Sequence, residues 1–210
     1  MNLVDQTLKS LCNQLFPPRC VLCQNQGMPG LDLCAPCFAV FSGAPKPVVC
    51  WHGTVYAGFA YQTYIDELIQ GFKFHQQLGY GRLLATLAMP AFNIERPMAL
   101  IPVPLHCQRL RQRGFNQSLE LAKYWGKQTR VPVLRNALIR QRATQVQSEL
   151  KAAERLSNVS GAFRASGDLP AHVALVDDVY TTGATCMAAA EALLLHGAQC
   201  VDVWCLARVL

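Results

Sequence analysis

Val173-Ala174-Leu175-Val176-Asp177-Asp178-Val179-Tyr180-Thr181-Thr182-Gly183-Ala184-Thr185 is the stretch on which the fold turns. Four apolar residues read as a buried strand, two acids end it, and a turn of hydroxyl and small residues opens a helix. Each part has a physical task. Gly183 and Ala184 let a ligand approach the backbone closely, and the free N–H groups of a helix's first turn favour a dianionic phosphate. Thr181, Thr182 and Thr185 add hydroxyl donors. Asp177 and Asp178 lie at the carboxyl end of the strand, where open α/β sheets bind ligands, and there they can accept hydrogen bonds from a vicinal diol. Consecutive aspartates repel each other and are costly at such a place without a ligand. The stretch is neither a P-loop, since no Gly-Lys-Ser/Thr follows, nor a GxGxxG fingerprint.

Outward from it, strand and helix alternate. Ala184 to His196 is an Ala/Leu-rich helix stopped by Gly197, and Cys200 to Leu206 reads as a last strand. Upstream, Met98 to Val103 is an apolar strand closed by Pro102 and Pro104, and Gln117 to Gln128 is helical with Asn116 as N-cap. Val131 to Leu134 reads as a short strand, Gln141 to Gln147 as a mobile polar loop, and Lys151 to Leu156 as a helical turn. Val55 to Tyr61 is β-prone, Tyr64 to Phe74 helical, and Leu78 to Phe92 helical until Pro90 interrupts it. Such alternation predicts βαβ units and a parallel sheet flanked by helices, an α/β fold.

The N-terminal part is of another kind. Val4, Leu8, Leu11 and Leu15 predict a short amphipathic helix ended by Pro17-Pro18. After it come Cys20-x2-Cys23 and, ten residues on, Cys34-x2-Cys37. Two residues between cysteines turn both thiolates toward one ion, and a second such knuckle completes a tetrahedral shell of four. Soft thiolates select zinc, and a shell filled by protein leaves no position for a reactive water, so the metal's role would be structural. A redox-active CxxC is the competing reading, but neither pair lies in a thioredoxin-like strand-to-helix context. Cys12 and Cys50 are near enough in sequence to serve as substitute ligands. The expected division is a helix and zinc-ribbon module over 1–52 and an α/β domain over 53–210.

Composition bounds the function. The chain has 210 residues, 51% hydrophobic and 15% charged, which argues against disorder. No stretch approaches the roughly 18 uninterrupted apolar residues of a membrane-spanning helix, so no membrane insertion is expected. The first sixteen residues carry polar residues throughout (Asp5, Gln6, Lys9, Gln14), with neither a basic start nor a continuous apolar run, and do not read as a secretory signal, so the expected compartment is the cytoplasm. Ten cysteines in a reducing compartment then imply metal binding or burial rather than disulfides. The net charge of +6 is uneven: Arg109 to Arg164 holds twelve Lys/Arg against three Glu, a local excess of +9. A basic middle implies an anionic partner, either a phosphate-bearing small molecule or nucleic acid.

The acid-pair and Thr-Thr-Gly ordering closely resembles the phosphoribosyl-pyrophosphate (PRPP) signature of type I phosphoribosyltransferases, and the rest of the chain resembles the competence-associated ComF family. Ile101-Pro102-Val103-Pro104-Leu105 resembles its pyrophosphate-side loop, and Arg113-Gly114-Phe115-Asn116-Gln117 its most distinctive motif. Arg140, Thr144, Gln145, Leu150, Arg155, Asn158 and Val159 resemble its flexible-loop region, and the double CxxC and Leu206-Ala207-Arg208 also fit. Cys50 departs from the pattern, because it lacks a partner two residues on.

The resemblance implies a type I phosphoribosyltransferase-like sheet and PRPP bound with Mg2+. It places the 5-phosphate at Thr181, Thr182, Gly183, Ala184 and Thr185, the ribose hydroxyls on Asp177 and Asp178, and the pyrophosphate by Val103 and Pro104. Arg113, with Arg140, Arg142 or Arg155, would stabilise the departing charge, and Gln141 to Gln147 would close as a lid. Asp177, Asp178 and Arg113 are thus the catalytic candidates. Transfer to an unnamed acceptor during natural transformation is one implied function. The other is a non-catalytic protein of the competence machinery that binds single-stranded DNA or serves as a scaffold among other competence proteins.

Overall fold

The computed structural model describes residues 17–41, 43–74, 77–92, 96–141 and 161–210. These fall into two compact units, one within 1–42 and one within 43–210. The expected helix before Pro17 and the expected turn at Lys151 to Leu156 lie outside the described residues, as does the Gln141 to Gln147 loop beyond its first residue.

In the smaller unit the chain is held by local turns. Isolated bridges pair Arg19 with Gln26 and Met28 with Leu31, and a short helix, α1 (Ala35–Phe38), follows Cys34. Among its described residues, Cys20, Leu33 and Cys34 are the buried hydrophobic side chains.

The larger unit is built on a five-stranded sheet. Its strands are β1 (Val48–Cys50), β2 (Gly53–Ala60), β3 (Ala99–Pro102), β6 (His172–Tyr180) and β7 (Cys200–Arg208), in the order β1-β2-β7-β6-β3. Only the β1–β2 pair is antiparallel. Two further strands, β4 (Leu138–Arg140) and β5 (Phe163–Ala165), form a separate antiparallel pair. The helices are α2 (Thr63–Phe74), α3 (Leu78–Ala88), α4 (Cys107–Arg113), α5 (Gln117–Thr129) and α6 (Ala184–Leu195), with a 3-10 turn over Met89–Phe92 that carries Pro90.

Alternation along the strands divides the core. Val173, Leu175, Val201, Val203 and Cys205 pack with Cys186, Ala189, Ala190 and Leu193 of α6. Trp204 turns the other way, stacks on Phe92 with ring centres 4.7 Å apart, and meets Trp125 of α5 edge-on. Trp125 Nε1 donates to the Ala85 carbonyl at 3.0 Å, so its polar edge is satisfied while the ring is buried.

The mostly parallel α/β sheet expected from the alternating pattern is present, with three instructive differences. Strand β6 continues through both aspartates to Tyr180, because β7 pairs with it as far as Arg208. Val131 to Leu134 makes a parallel bridge to Leu100 rather than a full strand, held by Leu100 N–H to the Pro132 carbonyl and Leu134 N–H to the Leu100 carbonyl. Helix α4 and the β4–β5 pair carry no periodic signal: α4 reads CQRLRQR, and each of the two strands is three residues long.

Candidate functional site

The carboxyl ends of the parallel strands converge on Asp177 and Asp178. Both are partly buried, and their carboxylates diverge to different neighbours. Ser118 Oγ donates to Asp177 Oδ1 at 3.0 Å, and the Asp178 backbone N–H donates to the same oxygen at 2.9 Å. The Cys186 thiol lies 3.8 Å from Asp177 Oδ2. Asp178 instead meets Lys73, whose Nζ is 3.0 Å from Oδ2. Burial, and then the Asp178 charge, push the Asp177 carboxyl up to about 7; the Asp178 N–H, Lys73 and Ser118 act in the opposite direction.

A pair of adjacent acids is held here by two helix ends, and Arg113 to Gln117 explains how. Gly114 ends α4 in the left-handed conformation at φ 78°, which only glycine adopts without strain. Phe115 packs against Phe72, and Asn116 caps α5 by accepting from the Ser118 N–H at 3.0 Å. Asn116 Nδ2 also donates to the Val103 carbonyl at 3.1 Å, tying this turn to the loop after β3. That loop runs beside β6, since the Val103 N–H donates to the Val176 carbonyl, one residue before Asp177. Arg113 donates to Gln117 Oε1 at 3.1 Å and lies over the Phe74 ring at 4.9 Å, so its guanidinium is engaged by neighbours of the acids rather than by the acids.

The turn after β6 exposes Thr181 and Thr182, while Gly183 and Ala184 are buried and Thr185 is half-buried. Gly183 sits at the N-cap of α6 with φ 77°, and a Cβ there would run into the Tyr180 ring. The N-cap residue, being glycine, supplies no side-chain cap, and a helix start of this kind is a place where backbone amides favour an anion. Arg140, over the Phe163 ring at 5.3 Å, is near enough for Asp177 to influence its ionisation; burial and Arg109 lower it to about 10. Tyr61 donates to Asp66 Oδ1, and burial with the neighbouring Asp66 pushes its phenol up to about 12.

In the smaller unit, the Sγ atoms of Cys20, Cys23, Cys34 and Cys37 all lie within 4.8 Å of one another, with Cys23 and Cys34 at 3.5 Å. Burial opposes ionisation of Cys20, yet N–H groups of Cys34, Cys23 and Leu22 outweigh it and bring that thiol down to about 6. Donors aimed at sulfur favour the thiolate, the form that binds metal, and the four sulfurs could hold one ion such as zinc. Cys50 lies on β1 of the larger unit, beside Tyr180.

The DNA utilization protein YhgH of Escherichia coli K12 is 32% identical over 211 residues, which cover 96% of this chain and 90% of that protein. Competence protein F of Haemophilus influenzae is 36% identical over 155 residues, or 69% of this chain and 68% of its own length. The chain belongs to the ComF family. No protein-family model matches it. Competence protein ComFC of Bacillus subtilis is 29% identical over 143 residues, 66% of this chain and 57% of that protein.

Within this ComF-family chain, the expected residues gather in part. Asp177, Asp178 and Val103 meet at the carboxyl end of β6, where Ser118 is bonded to Asp177, Asn116 to Val103, and Cys186 of α6 lies beside Asp177. Arg142 and Arg155 lie outside the described residues. His106 caps α4 by accepting from the Gln108 N–H, a structural duty. Ser118 was not legible as a site residue; its only signal is its place two residues after the Asn116 cap, on the same helix face as buried Leu121 and Trp125. Among the described residues no helix is long and apolar enough to cross a membrane.

Proposed function

We propose that the larger unit binds PRPP and transfers its phosphoribosyl group to an acceptor. The observation that carries this reading is the Asp177–Asp178 pair, at the carboxyl end of a central parallel strand and directly before the uncapped start of α6. In this reading the α6 amides and Thr181, Thr182 and Thr185 hold the 5-phosphate. Asp177 and Asp178 accept hydrogen bonds from the vicinal ribose hydroxyls, and the loop at Val103 and Pro104 faces the pyrophosphate. Mg2+ arriving with PRPP supplies charge neutralisation for the departing pyrophosphate. Arg113 and Arg140 add positive charge beside the same region. In the smaller unit the four cysteines hold a structural zinc ion.

The relatives named for DNA utilization and competence support a role in DNA uptake; the cytoplasm is the compartment proposed for it, on the polar character of the first sixteen residues. The +9 excess from Arg109 to Arg164 favours a second reading, a protein that binds single-stranded DNA without turnover or serves as a scaffold for other competence proteins.

Calorimetric titration with PRPP and Mg2+ separates the two. Binding that is lost in the Asp177→Asn, Asp178→Asn double variant supports the transferase reading. Absence of PRPP binding, with salt-dependent fluorescence anisotropy on single-stranded DNA, supports the second.

A further inference from the structure

The last turn of α2 presents three consecutive residues, and each meets a different member of Arg113–Gln117. The Phe72 ring lies 5.5 Å from Phe115, Gln117 Nε2 donates to the Lys73 carbonyl at 3.5 Å, and the Arg113 guanidinium lies 4.9 Å from the Phe74 ring. A lysine at a helix end ordinarily swings on a flexible four-carbon stem. Here its backbone is pinned from the far side of the site, and its Nζ rests on Asp178 Oδ2 at 3.0 Å. Both side chains are mostly out of water, 16% and 14% exposed, so the pair is screened less than a surface ion pair.

We propose that Lys73 is a positioning residue of the acid-pair site: held by the Arg113–Gln117 staple, its ammonium fixes the Asp178 carboxylate and is the counter-charge that lets two adjacent aspartates face one ligand. The proposal rests on the reading of that pair as ligand-facing. It assigns the Arg113–Gln117 segment a further task, the delivery of a charge from α2.

The electrostatic setting is consistent with this. Asp177 is faced by Asp178 on its own strand, Lys73 from α2, Cys186 from α6, Cys205 from β7 and Arg140 from β4. Burial holds the two thiols in their neutral form. Among the described residues the remaining cations are Lys73 and Arg140, and Lys73, the one in contact with the acid pair, pulls the Asp177 ionisation downward. Removing it leaves the two carboxylates to repel each other, and the proton is then retained to higher pH.

The test is a carboxyl-carbon NMR titration of Asp177 in the full chain, with its resonance assigned by loss in Asp177→Asn. In Lys73→Met the midpoint should rise by roughly half a pH unit or more, and Lys73→Arg should restore it. Calorimetry with PRPP and Mg2+ gives the functional arm: affinity in Lys73→Met should fall about twofold or more at pH 7 and recover toward wild type at pH 8.5. An unchanged Asp177 midpoint, or an affinity loss equal at all pH values, overturns the proposal. If the wild-type protein takes up no PRPP, the transferase reading falls, while the carboxyl titration still decides the place of Lys73.

Discussion

Ser118 Oγ donates to Asp177 Oδ1 at 3.0 Å, joining the first turn of α5 to a strand 59 residues further along the chain. The serine is buried, and its own N–H is taken by the Asn116 cap, so the hydroxyl is oriented before any ligand arrives. Ser118→Ala removes a donor to a buried carboxylate, an interaction worth about 1.5–3 kcal/mol when the acceptor is charged. The Asp177 carboxyl should then hold its proton to higher pH, and PRPP affinity at pH 7 should fall by roughly tenfold. Calorimetry at pH 7 checks this; an affinity equal to wild type would show that Asp177 does not depend on the serine.

The pH dependence of stability has a definite sign. Burial and Asp178 raise the folded-state carboxyl of Asp177 to about 7. In the unfolded chain an aspartate titrates near 3.9. Between these values the folded protein binds the extra proton, so this group's contribution to stability is largest below about pH 4 and is lost as pH rises through 7. Asp177→Asn should therefore stabilise the ligand-free protein at pH 8, by about 1–3 kcal/mol, while abolishing PRPP binding. Thermal unfolding at pH 5 and pH 8 reads it: the gain should be present at the higher pH and shrink at the lower.

Much of this architecture is legible in the sequence, and what is not has physical reasons. The strand at Val173, the α6 helix and the Asn116 cap announce themselves because burial periodicity and capping chemistry are local. Helix α4 carries no apolar stripe and is held by its His106 cap and by Gly114, signals too short to stand out. The continuation of β6 through Asp177 to Tyr180 depends on ladder bonds to β7, a partner more than twenty residues away. In the site, the acids and the Thr-Thr-Gly turn are contiguous in the chain and were legible. Ser118 on Asp177 and Lys73 on Asp178 are tertiary pairings, and no spacing rule reports them.

Gly183 offers a test of the turn itself. Its φ of 77° costs an L-residue about 1 kcal/mol or more, and the added methyl would press on the Tyr180 ring. Gly183→Ala should lower stability by about 1–3 kcal/mol and shift the α6 amides away from their present line. PRPP affinity should fall more than stability alone accounts for. Chemical denaturation together with calorimetry separates the two effects; an unchanged affinity in a folded Gly183→Ala protein would remove the α6 start from the phosphate site.

The cysteine unit should respond to metal in a way the larger unit does not. Its described core contains little more than Leu33 and two of the cysteines, and thiolate–metal bonds at the four-cysteine cluster would add to that burial. One zinc per chain is expected by elemental analysis, falling to none in Cys20→Ser combined with Cys34→Ser. Stripping the ion with a strong chelator should open residues 17–41 to limited proteolysis while cleavage within 43–210 stays unchanged. Metal uptake should release protons, because Cys23 and Cys37 hold theirs above the ordinary thiol range in the metal-free state, and so the apparent affinity should rise with pH. A chain that binds no zinc at any pH, or whose 17–41 segment resists protease equally with and without it, would remove the metal from the account of this unit.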